Sequence, residues 1–391
     1  MTEPVAAVAV LPQGLEQQGA EELVQLGASD VRPLRRAASF RIEPAGFYRV
    51  LLEARLPFRL LRRLAAFPCA GADALYEGIQ RAADWDRWLP PDASFRVDVT
   101  GSAPGLNHSH FTALQVKNAL VDLQRQRHGR RSGIDLDHPD LSLQLHLGGG
   151  QAQLSVEAAG SSLHRRGWRA AMGLAPLKEN LAAGLIACTG WDGRVPLADP
   201  LCGSGTLLIE AACLALARAP GLLDDASGQP QPRRFAIESW PDFDPELWRQ
   251  AVAAAASRRR TGLADGSPLA PIVGREQDAA VLEQARHNAA AAGVAPWIDL
   301  QAGDVRDFQP PETPGVLVCN PPYGERLGAD DDLEALYSDL GRLLKERCSG
   351  WSLWLLSGNA AHTGALRMKA SRRVPVSNGG IDCRWLNYTI R

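Results

Sequence analysis

The chain has 391 residues, 45% hydrophobic and 22% charged, with 42 basic against 44 acidic side chains. This composition excludes a disordered chain, and the length predicts two or three domains rather than one small module. The net charge of −2 excludes a protein that coats nucleic acid through bulk positive charge, so any such contact must come from local clusters.

The sequence shows neither a pattern for membrane or secretory targeting nor a cysteine pattern for metal binding. No apolar stretch approaches the roughly 20 residues that a membrane span needs, and the N-terminus lacks the charged start and apolar core of a secretory signal. We therefore expect a cytoplasmic protein that does not bind membranes. The seven cysteines are scattered, without a C-x-x-C pair or a neighbouring histidine, which predicts buried free thiols and no metal site.

Residues 1–160 alternate segments with strand and helix patterns, which predicts one or two small α+β units. Near the end of this region two strand-like segments, LSLQLHL and AQLSVEAAG, are joined by three glycines at 148–150, a hairpin signal. A basic, polar segment begins at Ser161 and is followed by a helical pattern. We therefore predict a domain boundary between residues 160 and 161.

Residues 161–391 repeat a strand–turn–helix order with apolar strands. This pattern predicts an α/β domain with a parallel, doubly wound sheet of the Rossmann type. Residues 218–270, rich in proline, arginine and tryptophan, interrupt the order and are predicted to be an insertion containing one helix.

A glycine-rich turn follows the first strand of this domain, in the order Asp199-Pro-Leu-Cys-Gly-Ser-Gly-Thr206. Such a turn lets a ligand approach the backbone and the N–H groups at the start of the next helix. The glycines alone fit a simple tight turn equally well. Leu208 occupies the third glycine position of the dinucleotide motif, which disfavours hydride transfer with NAD. Glu276 and Asp304 follow the next two strands, so three acids are expected around one nucleoside-like ligand.

The most specific motif is Asn320-Pro321-Pro322-Tyr323 at the end of an apolar strand. The prolines stiffen the turn and supply no competing N–H, so the Asn320 side-chain oxygen and the Pro321 carbonyl can accept both hydrogens of an exocyclic amine. Tyr323 offers a face for base stacking. The pattern indicates a site for an amino group on a nucleobase, without distinguishing guanine from adenine.

Together these motifs resemble those of class I S-adenosylmethionine (SAM)-dependent methyltransferases that modify exocyclic amines of bases. The chain is most similar to the THUMP-domain RNA methyltransferases, including those that act on guanine N2 of bacterial 23S rRNA. The N-terminal region resembles their ferredoxin-like plus THUMP arrangement. The resemblance is carried by LHRRGWR (163–169), APLKENLAAGLI (175–186), DPLCGSGTLLIEAA (199–212), RAPGL (218–222), NPPYGERL (320–327) and NGGIDCRWLNY (378–388).

The resemblance implies SAM as cofactor and assigns roles by motif. The methionine end would be held by the first acid and the glycine turn, with the start of the preceding helix nearby: Asp199, Gly203, Gly205, Thr206, Lys178, Glu179 and Asn180. Glu276, in place of the more usual aspartate, would bind the ribose and Asp304 the adenine. Asn320, next to the cofactor, would act with Pro321, Pro322 and Tyr323 on the target base. A second methyltransferase unit found in some relatives is expected to be absent, so we expect a single modification.

RNA contact is expected from two arginine clusters, although such clusters are as often merely solvated. They are Arg125, Arg127, Arg130 and Arg131 in the presumed THUMP region, and Arg165, Arg166 and Arg169 after the boundary. The expected partner is 23S rRNA or its precursor. A tRNA guanine-N2 methyltransferase is the nearest alternative. A DNA adenine-N6 methyltransferase leaves the THUMP-like region unexplained, and a non-catalytic assembly factor does not explain the intact motifs.

Overall fold

The computed structural model describes residues 3–169, 177–322 and 330–391, with the side chains of residues 330–332 set aside. The N-terminal part forms one sheet of eight strands in the order β2-β3-β1-β4-β8-β7-β5-β6. The strands are β1 (Val5–Val10), β2 (Ser29–Leu34), β3 (Ala37–Ile42), β4 (Arg59–Pro68), β5 (Ser94–Gly101), β6 (Gly133–Ile134), β7 (Leu141–Gly148) and β8 (Gln151–Glu157).

Strand β4 joins two α+β units into this single sheet, because it pairs with β1 on one side and with β8 on the other. The helices of the region are α1 (Glu16–Gln25), α2 (Pro44–Glu53), α3 (Ala72–Arg81), α4 (Trp85–Trp88) and α5 (Ser109–His128). The predicted hairpin is confirmed: β7 and β8 pair from Gly148 and Gln151, and the turn residues Gly149 and Gly150 have φ of 58° and 73°.

The apolar stretch from Tyr48 to Phe67 divides between a helix and a strand. Helix α2 ends at Glu53, the next residue, Ala54, is extended with ψ of 131°, and β4 begins at Arg59. A proline inside a helix has no N–H to donate and clashes with the carbonyl four residues earlier, which for Pro57 is that of Glu53. The proline therefore accounts for a break that apolar periodicity alone does not reveal.

The C-terminal part is built on a seven-stranded sheet in the order β13-β12-β9-β14-β15-β17-β16. Its first five strands are parallel, which confirms the Rossmann-type prediction. The last two strands correct the prediction that the sheet is parallel throughout. Strand β17 runs antiparallel to both β15 and β16, and Gly379 and Gly380 form the turn of the β16–β17 hairpin. The strands are β9 (Leu197–Asp199), β10 (Leu222–Asp224), β11 (Pro230–Pro232), β12 (Ile272–Glu276), β13 (Ile298–Ala302), β14 (Val316–Cys319), β15 (Ser352–Ser357), β16 (Arg372–Asn378) and β17 (Ile381–Thr389), of which β10 and β11 form a separate pair.

The predicted insertion, residues 218–270, packs against the N-terminal part. Its helix begins after Asp244, whose carboxylate caps the first turn, and the Asp244 N–H donates to the Tyr48 hydroxyl over 2.9 Å. Trp248 meets the Tyr48 ring edge-on at 5.4 Å between centroids. The insertion thus joins the two parts. The helices of the C-terminal part, of which α8 is the helix of the insertion, are α6 (Glu179–Thr189), α7 (Thr206–Ala215), α8 (Pro245–Ser257), α9 (Ala279–Ala291), α10 (Asp330–Arg347) and α11 (Ala360–Ala365).

The two parts also share one hydrophobic core, since a single cluster of buried residues contains members of both. Buried polar groups cross the same contact. Asn180 donates from its amide to the Leu56 carbonyl over 2.9 Å, and Arg55 donates to the Cys213 carbonyl over 2.9 Å. The predicted domain boundary after residue 160 lies beside this contact and stays a prediction.

All seven cysteines are buried, as the sequence predicts. Among the described residues, no helix combines the length and apolar character needed to cross a membrane.

Candidate active site

The glycine-rich turn connects β9 to α7 at the carboxyl edge of the sheet. Gly203 and Gly205 have φ of 54° and 79°, a region that favours glycine, and Thr206 begins the helix. The Gly203 N–H donates to the Glu276 carboxylate over 3.1 Å. The structure therefore brings together Asp199 at the end of β9, the turn, and Glu276 at the end of β12.

Asp199 is a buried carboxyl group, only 2% exposed. Burial raises its pKa to about 8, the Leu201 N–H partly offsets this, and the nearby Glu276 charge adds to the rise. At neutral pH the carboxyl is therefore largely protonated in the unliganded protein. A cationic ligand group would favour its ionised form, which makes Asp199 suited to the ammonium of an amino-acid moiety.

The Glu276 carboxylate accepts hydrogen bonds from two loops, the glycine-rich turn and the segment that follows β12. One carboxylate oxygen accepts from the Gly203 N–H and the other from the Asp278 N–H, over 3.1 and 2.9 Å. A carboxylate has about four lone-pair sites, so Glu276 can still accept from a ligand hydroxyl. Its ribose-binding role stays a prediction.

Asp304 follows β13 and is held by its neighbour Arg306. The carboxylate accepts from the Arg306 backbone N–H and from its Nε and Nη2 over 2.7–2.8 Å. These hydrogen bonds lower the pKa of Asp304 to about 2, so it is ionised at physiological pH. Three of its acceptor sites are occupied, and its adenine-binding role stays a prediction.

The Asn320-Pro321-Pro322 turn follows β14, which lies directly beside β9. The Asn320 side-chain oxygen is buried and has no hydrogen-bond partner among the described residues. Leaving a buried acceptor unpaired costs about 1–3 kcal/mol. An amine donor supplied by a ligand would satisfy it. Tyr323, the fourth residue of the motif, lies outside the described residues.

The start of α6 approaches the glycine turn indirectly. Lys178 is exposed, with its ammonium 5.2 Å from the Phe58 ring centroid. Glu179 is buried and pairs with Arg169 over 2.8 Å. Asn180 is fully buried at the contact with the N-terminal part, and its side-chain oxygen is unpaired within the described ranges. Direct cofactor contact by these three residues stays a prediction.

Two arginines of the second predicted RNA cluster are interior residues. Arg169 donates to the Thr206 hydroxyl over 3.0 Å and to the Ser204 hydroxyl over 3.3 Å, besides its ion pair with Glu179. Arg166 is 2% exposed and pairs with Glu210 over 3.4 Å. We therefore remove both from the residues expected to contact RNA. Arg169 instead holds the glycine turn, a role that its partners in separate segments conceal from sequence reasoning.

The remaining predicted arginines are exposed. They are Arg125, Arg127, Arg130, Arg131 and Arg165. Arg127 and His128 share Asp86, over 3.1 and 2.8 Å, so part of the first cluster is already neutralised. RNA contact by this set stays a prediction.

Comparison with known families accounts for both parts of the chain. The model described as "RMKL-like, methyltransferase domain" matches residues 166–387, and the THUMP domain model matches residues 69–157. The chain belongs to the RMKL-like family of THUMP-domain, SAM-dependent RNA methyltransferases. The family resemblance and the SAM cofactor predicted from the sequence are thereby confirmed.

Individual relatives span the whole chain. A putative RNA methyltransferase of Synechocystis sp. is 42% identical over 98% of this chain and 96% of its own length. Ribosomal RNA large subunit methyltransferase K/L of Syntrophotalea carbinolica is 38% identical over 100% of this chain. The chain spans about half the length of the K/L relatives, 54% in this case.

Two solved structures superpose on the whole chain. SMU.472, a putative methyltransferase complexed with SAH, superposes with a TM-score of 0.84 at 27% identity, covering 100% of this methyltransferase and 99% of that chain. A possible methylase from Clostridium difficile 630 gives a TM-score of 0.85 at 27% identity, with coverage of 100% and 99%.

Proposed function

We propose that this methyltransferase transfers a methyl group from SAM to the exocyclic N2 of a guanine in 23S ribosomal RNA. The observation that carries the choice of an exocyclic amine is the buried side-chain oxygen of Asn320, which has no partner in the described part of the chain. The choice of large-subunit RNA is supported by the names of the K/L relatives and by the THUMP match. Guanine as the base rests on the resemblance of the motifs.

The residues at the carboxyl edge of the sheet fit the cofactor. Asp199 is a buried carboxyl without a cationic partner among the groups that shift its pKa, as expected for a site that takes a ligand ammonium. Glu276, at the end of β12, would accept from the ribose hydroxyls, and Asp304, after β13, would accept from the adenine amino group. When bound, SAM supplies an electrophilic methyl group on a sulfonium.

The amine-binding turn orients the nucleophile. Asn320 and the Pro321 carbonyl would each accept one hydrogen of the amine, which aims the nitrogen lone pair away from the turn. The two prolines have no N–H to compete for these acceptors. The methylated amine is briefly an acidic cation, so it can lose its proton to water without a strong general base. We propose that Tyr323 stacks on the base, as its place in the motif predicts.

Binding of the RNA outside the active site is assigned to the exposed arginines of the THUMP region. Arg125, Arg130 and Arg131 are the candidates least engaged in strong ion pairs, since Arg125 only approaches Asp122 at 3.9 Å. Guanidinium groups suit phosphate contacts. The cytoplasm is the compartment that follows from an RNA substrate of this kind.

Nucleoside mass spectrometry tests the proposal. We would compare 23S rRNA, 16S rRNA and tRNA from a deletion strain and its parent, and then incubate the deletion-strain RNA with purified protein and isotopically labelled SAM. We expect loss of one N2-methylguanosine from 23S rRNA and its restoration in vitro. Loss confined to tRNA would indicate the tRNA alternative, and loss of N6-methyladenosine would contradict the choice of guanine. No change in any RNA would favour a non-catalytic role.

A further inference from the structure

A groove of about 1160 Å³ lies beside the carboxyl end of β15. Residues 357–360 form part of its floor, and the β16–β17 hairpin forms one wall. We call it the hairpin groove. The sequence motif NGGIDCRWLNY, which no step of the proposed reaction uses, supplies part of this wall.

The hairpin groove is strongly cationic, although the chain as a whole has a net charge of −2. Among the described residues, its charged lining consists of four cations and one carboxylate, that of Asp382. The cations are Arg367, Lys369, Arg373 and Arg384. All four are exposed, and none forms an ion pair within the described parts of the chain. Ion pairs elsewhere on this surface neutralise many arginines, so an unpaired set around one groove indicates an anionic ligand.

The groove opens next to the amine-binding turn. The parallel strands β14 and β15 pair up to Cys319 and Leu355, so the Asn320 turn and the end of β15 at Ser357 lie at the same edge of the sheet. Neighbouring strands are about 4.8 Å apart. A chain bound in the groove would therefore lead directly to a base held at Asn320.

The groove also borders the N-terminal part of the protein. Gln13 and Gly14, from the connection after β1, complete its lining, and the Gln13 carbonyl accepts from the Ser377 N–H over 3.3 Å. A ligand in the groove thus meets both parts of the chain. Tyr388 is the only aromatic residue of the described lining and is 3% exposed, so the groove suits phosphates rather than stacked bases.

We propose that the hairpin groove binds the phosphate backbone of the RNA strand that flanks the target nucleotide. Arg367, Lys369, Arg373 and Arg384 would pair with successive phosphates. The inference rests on the proposed function in that RNA is the substrate.

The test compares two double variants in RNA binding. R373Q/R384Q removes two groove cations at exposed positions of the hairpin, and R249Q/R286Q removes two exposed arginines of the methyltransferase part that line neither the described groove nor the turn. Affinity for deletion-strain 23S rRNA would be measured over a salt series, with SAM affinity as a check on folding. For R373Q/R384Q we expect about a tenfold or greater loss of RNA affinity and a salt slope smaller by about 1–2. The control should bind like the parent.

A third variant gives a change of opposite sign. D382N removes the one carboxylate among the described lining residues of the groove. We therefore expect the variant to bind RNA more tightly than the parent, by about twofold to tenfold. A structural lesion would weaken binding, so this result separates electrostatics from misfolding.

The proposal is overturned if R373Q/R384Q and D382N both bind RNA like the parent while the parent methylates RNA. Equal losses in R373Q/R384Q and R249Q/R286Q would also overturn it, because the loss would then reflect net charge. A parent protein that neither binds nor methylates any RNA would instead refute the proposed function, and the groove inference with it.

Discussion

At the scale of single residues, burial of the Asn320 side-chain oxygen destabilises the folded protein. A substitution that removes this oxygen would also remove that destabilisation. We predict that N320A slows methyl transfer by roughly 10²-fold or more, because the acceptor that orients the amine is lost. The free energy of unfolding should stay the same or rise slightly. Single-turnover kinetics at saturating SAM, with thermal unfolding in parallel, measures both.

N320D is the matched control, since aspartate keeps an acceptor oxygen at the same position. It should be faster than N320A. Full activity of N320A would contradict the assigned role of this residue.

Asp199 links cofactor binding to the pH dependence of stability. Its pKa is raised to about 8 in the folded protein, above the usual value, so its favourable contribution is complete at low pH and is lost as pH rises from about 4 to 8. We predict that D199N abolishes SAM binding yet stabilises the unliganded protein by several kcal/mol at pH 8, because an amide cannot ionise.

The measurement is the free energy of unfolding of both proteins from pH 4 to pH 9. The difference should be small near pH 4, grow with rising pH and level off above pH 8. A difference that does not change with pH would contradict the buried, neutral carboxyl.

At the scale of elements, the glycine turn depends on Arg169, which bonds to Glu179, Ser204 and Thr206 at once. Lysine lacks the planar fork needed to reach all three. We predict that R169K lowers SAM affinity by about tenfold and leaves the salt slope of RNA binding unchanged. Calorimetry with SAM and salt-dependent RNA binding would be compared with R165K, an exposed neighbour. A reduced salt slope with normal SAM affinity would restore Arg169 to the RNA-contacting set.

Local signals in the sequence predict those elements whose cause is local. The triple glycine predicts the β7–β8 hairpin, and alternating apolar strands and helices predict the Rossmann-type sheet. The Gly379–Gly380 turn is a local signal that β16 and β17 run antiparallel to each other. Which of the two strands pairs with β15, 24 or more residues earlier, is not encoded by any local pattern. The same holds in the site: strand ends predict the meeting of Asp199 and Glu276, whereas the burial of Arg166 depends on Glu210 in another segment.

At the scale of the whole molecule, the two parts are interdependent. The domain boundary predicted between residues 160 and 161 implies that residues 161–391 can fold alone and bind SAM. The structure argues against this, since Asn180 would lose the Leu56 carbonyl and Arg166 would lose the Arg55 carbonyl. Buried polar groups that lose a partner are costly, and part of the shared core would be exposed.

We therefore predict that residues 161–391 expressed alone unfold without a cooperative transition, and that co-expression with residues 1–160 restores a folded complex that binds SAM. Calorimetric unfolding of the fragment, the complex and the intact chain tests this. A fragment with the melting temperature of the intact chain would show that the contact contributes little to stability.

Strand β4 belongs to both N-terminal units, and α8 and the shared core join them to the second sheet. These contacts connect the exposed arginines of α5 to the amine-binding turn, so with RNA docked as proposed the protein would act as a molecular ruler. It would then select a nucleotide by its distance from the docked RNA element as well as by its base. Lengthening the RNA helix between the docking element and the target should then move methylation to another nucleotide or abolish it, even where the target sequence is intact.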